Sequence, residues 1–362
     1  MGEMDLMKRY RLRASYGLFF FLVILAPFLL TDFRAGLLAK FLCFAIIAVG
    51  ISLIWGFTGI LSLGHGVFFG LGAYCMAMYL KLEASPQGVP DFMEWNGIQE
   101  LPFIWTLFQS PVFAIAAAVF VPFLLALIIG YFTFKNRIKG VFFSLISQAV
   151  VVVMVTLFIG MQHITGGTSG LTNFSTVFHA PLADPVTKQL LYFVTVSLLA
   201  LVMGISLFLT KSRFGRLLIA IRDGENRLRF LGYNPAAFKV FVYALSASFA
   251  GIAGALFVLQ VGMITPEMMG IIPSIEMVLW AAIGGRYSIL GAAIGAIVTN
   301  SAKSFLSETY PEFWTFILGG LFLVVVLYLP NGLAGLTNSV KARFFKKEKQ
   351  EVQKHATDTV VS

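Results

Sequence analysis

The chain has 362 residues, 58% of them hydrophobic and only 12% charged, with a net charge of +9. A soluble domain carries about 45–50% apolar and about 25% charged residues, so this composition excludes water as the main solvent of most side chains. The basic residues are gathered in short segments between apolar runs and at the termini, which fits the positive-inside distribution of membrane proteins better than a nucleic-acid-binding face.

In chain order, residues 1–14 form a basic arm with Lys8, Arg9, Arg11 and Arg13. With this arm the apolar run Tyr16–Leu30, within segment 15–31, resembles a signal peptide, but no small-x-small cleavage site follows it and more apolar segments do. It reads as an uncleaved first transmembrane helix. A spanning helix takes about 20 mostly apolar residues. By that measure further segments are expected at 36–56, 66–82, 111–134, 141–161, 189–210, 240–262, 274–286, 289–305 and 313–330. Those at 66–82, 274–286 and 289–305 are short or interrupted by glycine, giving eight to ten spans. The fold expected is an all-α polytopic transmembrane bundle over 15–336, with a polar tail at 337–362. Backbone amides cannot stay unpaired in hydrocarbon, so each segment is helical where it faces lipid.

The N-terminal arm, the connector with Lys135, Arg137 and Lys139, the basic segment 211–239 and the tail belong on the cytoplasmic side. The 83–110 segment carries Glu83, Asp91, Glu94 and Glu100 and no Lys or Arg, and belongs outside. Ten spans satisfy all these assignments with both termini cytoplasmic. Cys43 and Cys75 sit in apolar runs without metal-ligand spacing, so neither a disulfide framework nor a metal site is expected. No phosphate-binding loop, H-E-x-x-H or G-x-S-x-G is present, and no cofactor or enzymatic activity is expected of this chain.

Four features carry the functional reading. The stretch 56–72, GFTGILSLGHGVFFGLG, is too rich in glycine for an ordinary helix and reads as a broken helix lining a pathway, or as close packing through small residues. A second such stretch, GGRYSILGAAIG, lies at 284–295 in the other half, as an internal repeat would place it. Polar residues inside apolar runs are costly and mark function by default. They are Gln148, Glu276 and Asn300, with His65 beside the first glycine stretch. Glu276 lies four residues before Trp280, on the same helix face, so that a carboxylate and an indole could hold a small solute with N–H donors. The alternative for each is an interhelical hydrogen bond that only holds the bundle. Finally, segment 211–239 is longer than a simple connector requires. Its Leu217, Leu218, Ile221, Leu228 and Leu231 recur at helical spacings, and Gly232 and Pro235 can stop the helix. An amphipathic helix there docks in a partner's groove; the alternatives are a solvated positive-inside connector or a helix lying on anionic headgroups.

From about residue 50 to 336 the chain resembles permease subunits of ABC importers of the branched-chain amino-acid (LivM-like) type. The resemblance is carried by LSLGHGVFFGLGAY (61–74), TGGTSGL (165–171), FGRLLIAIRDGENRLRFLGYNP (214–235), SASFAGIAGALF (246–257), GGRYSILGAAIGA (284–296) and LPNGLAGL (329–336), in that order. Within the family, the stretches at 164–174, 222–235 and 274–286 are most similar to the urea-importer permease. A departure is Gly224, where a helix former is usual, which predicts a break within 217–231.

The resemblance implies a multi-pass protein of a bacterial inner membrane. Its expected partners are a second homologous permease, two cytoplasmic ATP-binding subunits, an external solute-binding protein and membrane lipid, with no nucleic acid. It implies that 214–232 couples to the ATPase, through Arg216, Arg222, Asp223, Glu225, Leu231 and Gly232. The cargo expected is urea, with branched-chain amino acids or short amides as the alternative. After the first three helices the apolar segments hold one acid, Glu276, and no basic residue until Arg286 and Lys303, which leans towards a neutral solute. An ATP-independent channel or carrier is the reading from a different class, and it would have no use for the 211–239 segment.

Overall fold

The computed structural model describes residues 2–85 and 88–310, with scattered positions between 316 and 335. Most of the segment expected at 313–330, and the whole 337–362 tail, lie outside the described residues. Among the described residues the helices are α1 (Gly2–Leu29), α2 (Asp32–Thr58), α3 (His65–Glu83), α4 (Asp91–Trp95), α5 (Phe103–Thr106), α6 (Pro111–Lys135) and α7 (Val141–Gly160). After them come α8 (Gln162–Thr165), α9 (Pro185–Lys211), α10 (Arg213–Phe230), α11 (Pro235–Val261), α12 (Ile271–Gly284) and α13 (Ile289–Thr309). Two antiparallel pairs of two-residue strands complete them: β1 (Leu171–Thr172) with β4 (Met263–Ile264), and β2 (Thr176–Val177) with β3 (Ala180–Pro181).

Each expected segment from 15–31 to 289–305 falls on one of these helices. Six of them, α2, α6, α7, α9, α11 and α13, are long and apolar enough to cross a membrane. Ala14–Leu29 within α1, and α12, are apolar but shorter. At 1.5 Å per residue, the 27-residue helices α2, α9 and α11 each extend about 40 Å, enough to cross a bilayer.

Helices α2 and α11 form the buried centre, and α6 and α7 turn large apolar side chains such as Leu124, Ile128, Phe132 and Val153 outwards. Lipid tails are as apolar as these side chains, so that surface is solvated by the bilayer. Burial alone therefore does not drive the helices together, and close backbone approach matters more. A Cβ at Gly254 would sit 1.9 Å from the Phe69 carbonyl oxygen, and one at Gly72 would sit 2.1 Å from that of Gly251. One at Gly251 would sit 2.2 Å from that of Ala118. Small residues thus let α3, α6 and α11 cross at backbone contact.

The first glycine-rich stretch divides accordingly. Gly59, with φ 75°, caps α2, and an irregular segment leads to α3, as a broken helix requires. Gly66 and Gly70 instead pack against Met269 and Ser274, and the Gly66 N–H donates to Ser274 Oγ at 3.2 Å. The first turns of α3 and α12 therefore meet inside the bundle. The basic 135–139 connector and α10 lie at the same end, as their common side assignment requires, with Lys139 Nζ 2.8 Å from Glu225.

Candidate functional site

The second glycine-rich stretch folds α12 and α13 into a tight hairpin. A Cβ on Gly284 would lie 2.0 Å from the Gly291 carbonyl oxygen, and one on Gly295 would lie 2.4 Å from that of Trp280. Only residues without a side chain permit that approach, and the approach sets what lies further along each helix. Glu276 on α12 faces Lys303 on α13, whose Nζ donates to both carboxylate oxygens at 2.8 Å. The pair lines a cavity of about 300 Å³ bounded by α2, α3, α11, α12 and α13. Trp280 and Asn300 line it too, as does Lys40 of α2.

Aromatic rings form much of the wall. Phe44 stacks on Trp280 with centroids 4.6 Å apart and on Phe257 at 5.6 Å. The Lys40 ammonium lies 5.9 Å from the Phe44 centroid and 5.8 Å from that of Phe257, within cation–π range. Asn300 returns one amide N–H to the Ala296 carbonyl at 2.8 Å. The cavity thus offers flat apolar faces, a carboxylate with lone pairs beyond those facing Lys303, and two ammonium groups.

Three of the residues expected in a solute pathway, Glu276, Trp280 and Asn300, come together here. His65 and Gln148 do not. His65 opens α3 in the bundle interior, where its Nε2 shares a hydrogen bond with Ser246 Oγ at 3.0 Å and its ring meets Phe68 and Tyr243 edge-on. Gln148 is half-buried on α7, away from the cavity lining. Glu276 is the one acid of the apolar segments after the first three helices, and it does not line the cavity alone among charged groups. Lys303 and Lys40 share the cavity with Glu276. Lys40 was legible as a single cation in the apolar run 36–56, but only the packing of α2 against α12 and α13 puts it in one cavity with a carboxylate more than two hundred residues away.

The second constellation surrounds α10. Ser212 caps it, its Oγ accepting from the N–H groups of Phe214 and Gly215 at 3.1 and 3.4 Å. The helix is interrupted at Gly224, where the break was expected. Its end is a glycine stop: the Gly232 N–H donates to the Arg229 carbonyl and the Tyr233 N–H to that of Leu228, with Gly232 at φ 84°. Leu218, Ile221 and Leu228 face inwards, while Arg216 and Asp223 are exposed. Phe230 and Leu231 at the tip stand out with 92% and 73% of their surface exposed.

Two charged groups tie this helix to the bundle. Glu225 accepts from Arg229 at 2.6 Å, Lys239 at 2.7 Å and Lys139 at 2.8 Å. Burial pushes its carboxyl up, but the ammonium groups of Lys139 and Lys239 outweigh that and hold it down at about 2. Arg222 donates through Nη1 to the Gly56 carbonyl at 2.8 Å and through Nε to Asp223 at 2.8 Å, and its guanidinium lies 5.1 Å from the Tyr287 ring. Ser52 Oγ in turn donates to the Arg286 carbonyl at 2.9 Å. One arginine of α10 thus touches both glycine-rich breaks.

Residues 33–326 match the family described as the permease component of the branched-chain amino acid transport system. The chain is 24% identical over 337 residues to the high-affinity branched-chain amino acid transport system permease protein LivM of Salmonella typhimurium, covering 86% of this chain and 72% of that one. It is 25% identical to LivM of Escherichia coli K12 over the same shares. To BraD of Pseudomonas aeruginosa, a permease protein of the same description, it is 24% identical over 305 residues, 81% of this chain and 91% of that one. No solved structure matches at a significant level.

Proposed function

The chain belongs to the branched-chain amino-acid transport permease family, a multi-pass protein of the bacterial inner membrane, and from that premise we propose that it is one permease subunit of an ATP-driven importer whose cargo is urea. The observation that carries the coupling part is the contact of Arg222 with Gly56 and Tyr287 in the same segment as the exposed Phe230–Leu231 tip. In this reading α10 faces the cytoplasm and its tip seats in a groove of an ATP-binding subunit. Two such subunits, a second homologous permease and an external solute-binding protein complete the importer. A push on the tip reaches the two places where the helices are interrupted, which are the segments best able to change direction. Nucleotide binding then biases an equilibrium between outward- and inward-open states, which requires different affinities for those states. The chain contains no phosphate-binding loop of its own, in keeping with ATP chemistry on partner subunits.

The cavity supports urea through its shape and charge pairing. A planar diamide can lie against the Phe44, Trp280 and Phe257 faces and donate N–H groups to the Glu276 carboxylate. Glu276 pairs with Lys303 and Lys40 rests over aromatic rings, so a neutral solute adds no charge to the cavity. A second reading, import of amino acids, is favoured by the same cavity offering a carboxylate for an ammonium group and two ammonium groups for a carboxylate.

The test is uptake of labelled urea into liposomes carrying the chain with its co-purifying partners, with and without ATP on the α10 side, and with unlabelled leucine or acetamide as competitors. ATP-dependent urea uptake that leucine does not inhibit is expected. ATP-dependent leucine uptake in its place would transfer the cargo to the second reading. Flux through the chain alone without ATP would make it a channel or carrier.

A further inference from the structure

A second hollow, a groove of about 730 Å³, opens between α6 and α11 at the α10 end of the bundle. Its floor and lower wall are apolar, from Phe123, Leu127, Val240 and Phe241, and its rim carries Lys135, Arg137 and Arg229. Among the described residues no acidic one lines it. Lys135 spends one N–H on the neutral Tyr131 hydroxyl at 2.7 Å, so its charge is not cancelled there. Arg229 meets Glu225 through Nη2, but that carboxylate is shared with Lys139 and Lys239, leaving the local balance positive. The N-terminus of α11, with Ala237 in its first turn, adds the positive end of a 27-residue helix to the same rim.

The apolar part of the groove continues onto the outward face of α6. Leu127, Tyr131 and Phe241 are all well exposed, and Leu124 and Ile128 extend that surface along the helix towards the bilayer interior. A surface that is cationic at the membrane boundary and apolar below it matches one molecule type: a lipid with an anionic headgroup and acyl chains. We infer that this groove is a binding site for an anionic phospholipid of the leaflet that meets α10, with the phosphate on Lys135, Arg137 and Arg229 and a chain lying between α6 and α11. Such a lipid would brace the connector 135–139 against Arg229 and so steady the base on which α10 rests.

The experiment is native mass spectrometry of the detergent-released assembly titrated with phosphatidylglycerol, with phosphatidylcholine of the same chains, or with glycerol 3-phosphate, which has the charge without the chains. One phosphatidylglycerol is expected to be retained, at least about tenfold more tightly than phosphatidylcholine. Glycerol 3-phosphate should not compete at matching concentration. Lys135→Gln with Arg137→Gln removes two exposed charges and should weaken retention about thirtyfold. Leu127→Trp fills the apolar wall without touching charge and should also weaken it, which separates a loss of site from a loss of fold when elution stays monodisperse. Equal retention of the two lipids, or retention unchanged in both variants, overturns the inference. Competition by glycerol 3-phosphate as effective as the lipid would make this a free-phosphate site. Binding to the isolated chain but not to the assembly would assign the groove to a partner subunit. Either of these outcomes also overturns it.

Discussion

Glu276→Gln is the perturbation with the most to say about the cavity. The carboxylate accepts twice from Lys303 at 2.8 Å, with 13% of its side chain exposed and 30% of that of Lys303. A fully exposed pair contributes about 0–1 kcal/mol, and breaking a buried one costs about 3–5 kcal/mol. The partial exposure puts Glu276→Gln between these, at about 2 kcal/mol of lost stability. The loss arises because an amide replaces the carboxylate that accepts twice from Lys303, in a cavity that Lys40 also lines. The double variant Glu276→Gln, Lys303→Met removes both partners of the ion pair and should regain part of that loss. Non-additivity of about 1–2 kcal/mol across the cycle is therefore expected in reversible unfolding in bicelles. Uptake separates the pair's two roles. If the carboxylate receives the solute, the double variant accumulates and assembles normally yet transports at a small fraction of the wild-type rate. Wild-type uptake by a well-assembled double variant would refute the pathway assignment and leave the pair as a clasp between α12 and α13. Additive single effects would refute the electrostatic reasoning itself.

Three further outcomes follow from the packing. Gly232→Trp puts a side chain on backbone at φ 84°, costing about 1–2 kcal/mol locally, on a surface where nothing lies within 4 Å. It should insert normally but lose ATP-dependent uptake, and normal uptake would remove the coupling assignment. The Glu225 carboxyl is held at about 2, below its ordinary 4.5, so its contribution to anchoring α10 is complete above about 4.5 and is lost as pH falls towards 2. Melting curves between pH 6 and 3 should show this loss in the wild type and its absence in Glu225→Gln, which begins less stable. Gly284→Val would drive a side chain into the Gly291 carbonyl 2.0 Å from its Cβ and prise the hairpin apart. A loss of about 3 kcal/mol or more is expected, with uptake falling in step, because Glu276 and Lys303 depend on that closure. An unchanged melting temperature would mean that the hairpin is not closed at this point.

The chain's own order of residues determined much of this protein. Long apolar runs had to be helices, since lipid offers a backbone amide no other partner, and the described helices lie where those runs lie. Local chemistry also set the limits of α10: a serine that caps it, a glycine that interrupts it, and Gly232 that ends it. The i, i+4 pairing of Glu276 with Trp280 is a property of any helix and needed no fold.

The sequence could not separate polar residues that line a cavity from those that merely satisfy one another. His65 and Glu276 look alike as lone ionisable groups in apolar surroundings. One is paired with Ser246 in the interior, and the other faces a cavity because two glycines let α12 and α13 touch. Lys40 lining the same cavity as Glu276, and Arg222 reaching both Gly56 and Tyr287, bring together segments far apart in the chain. Helical periodicity fixes which residues share a face of one helix. Which faces meet is decided by small-residue crossings and ion pairs between distant helices, and those exist only once the bundle has closed.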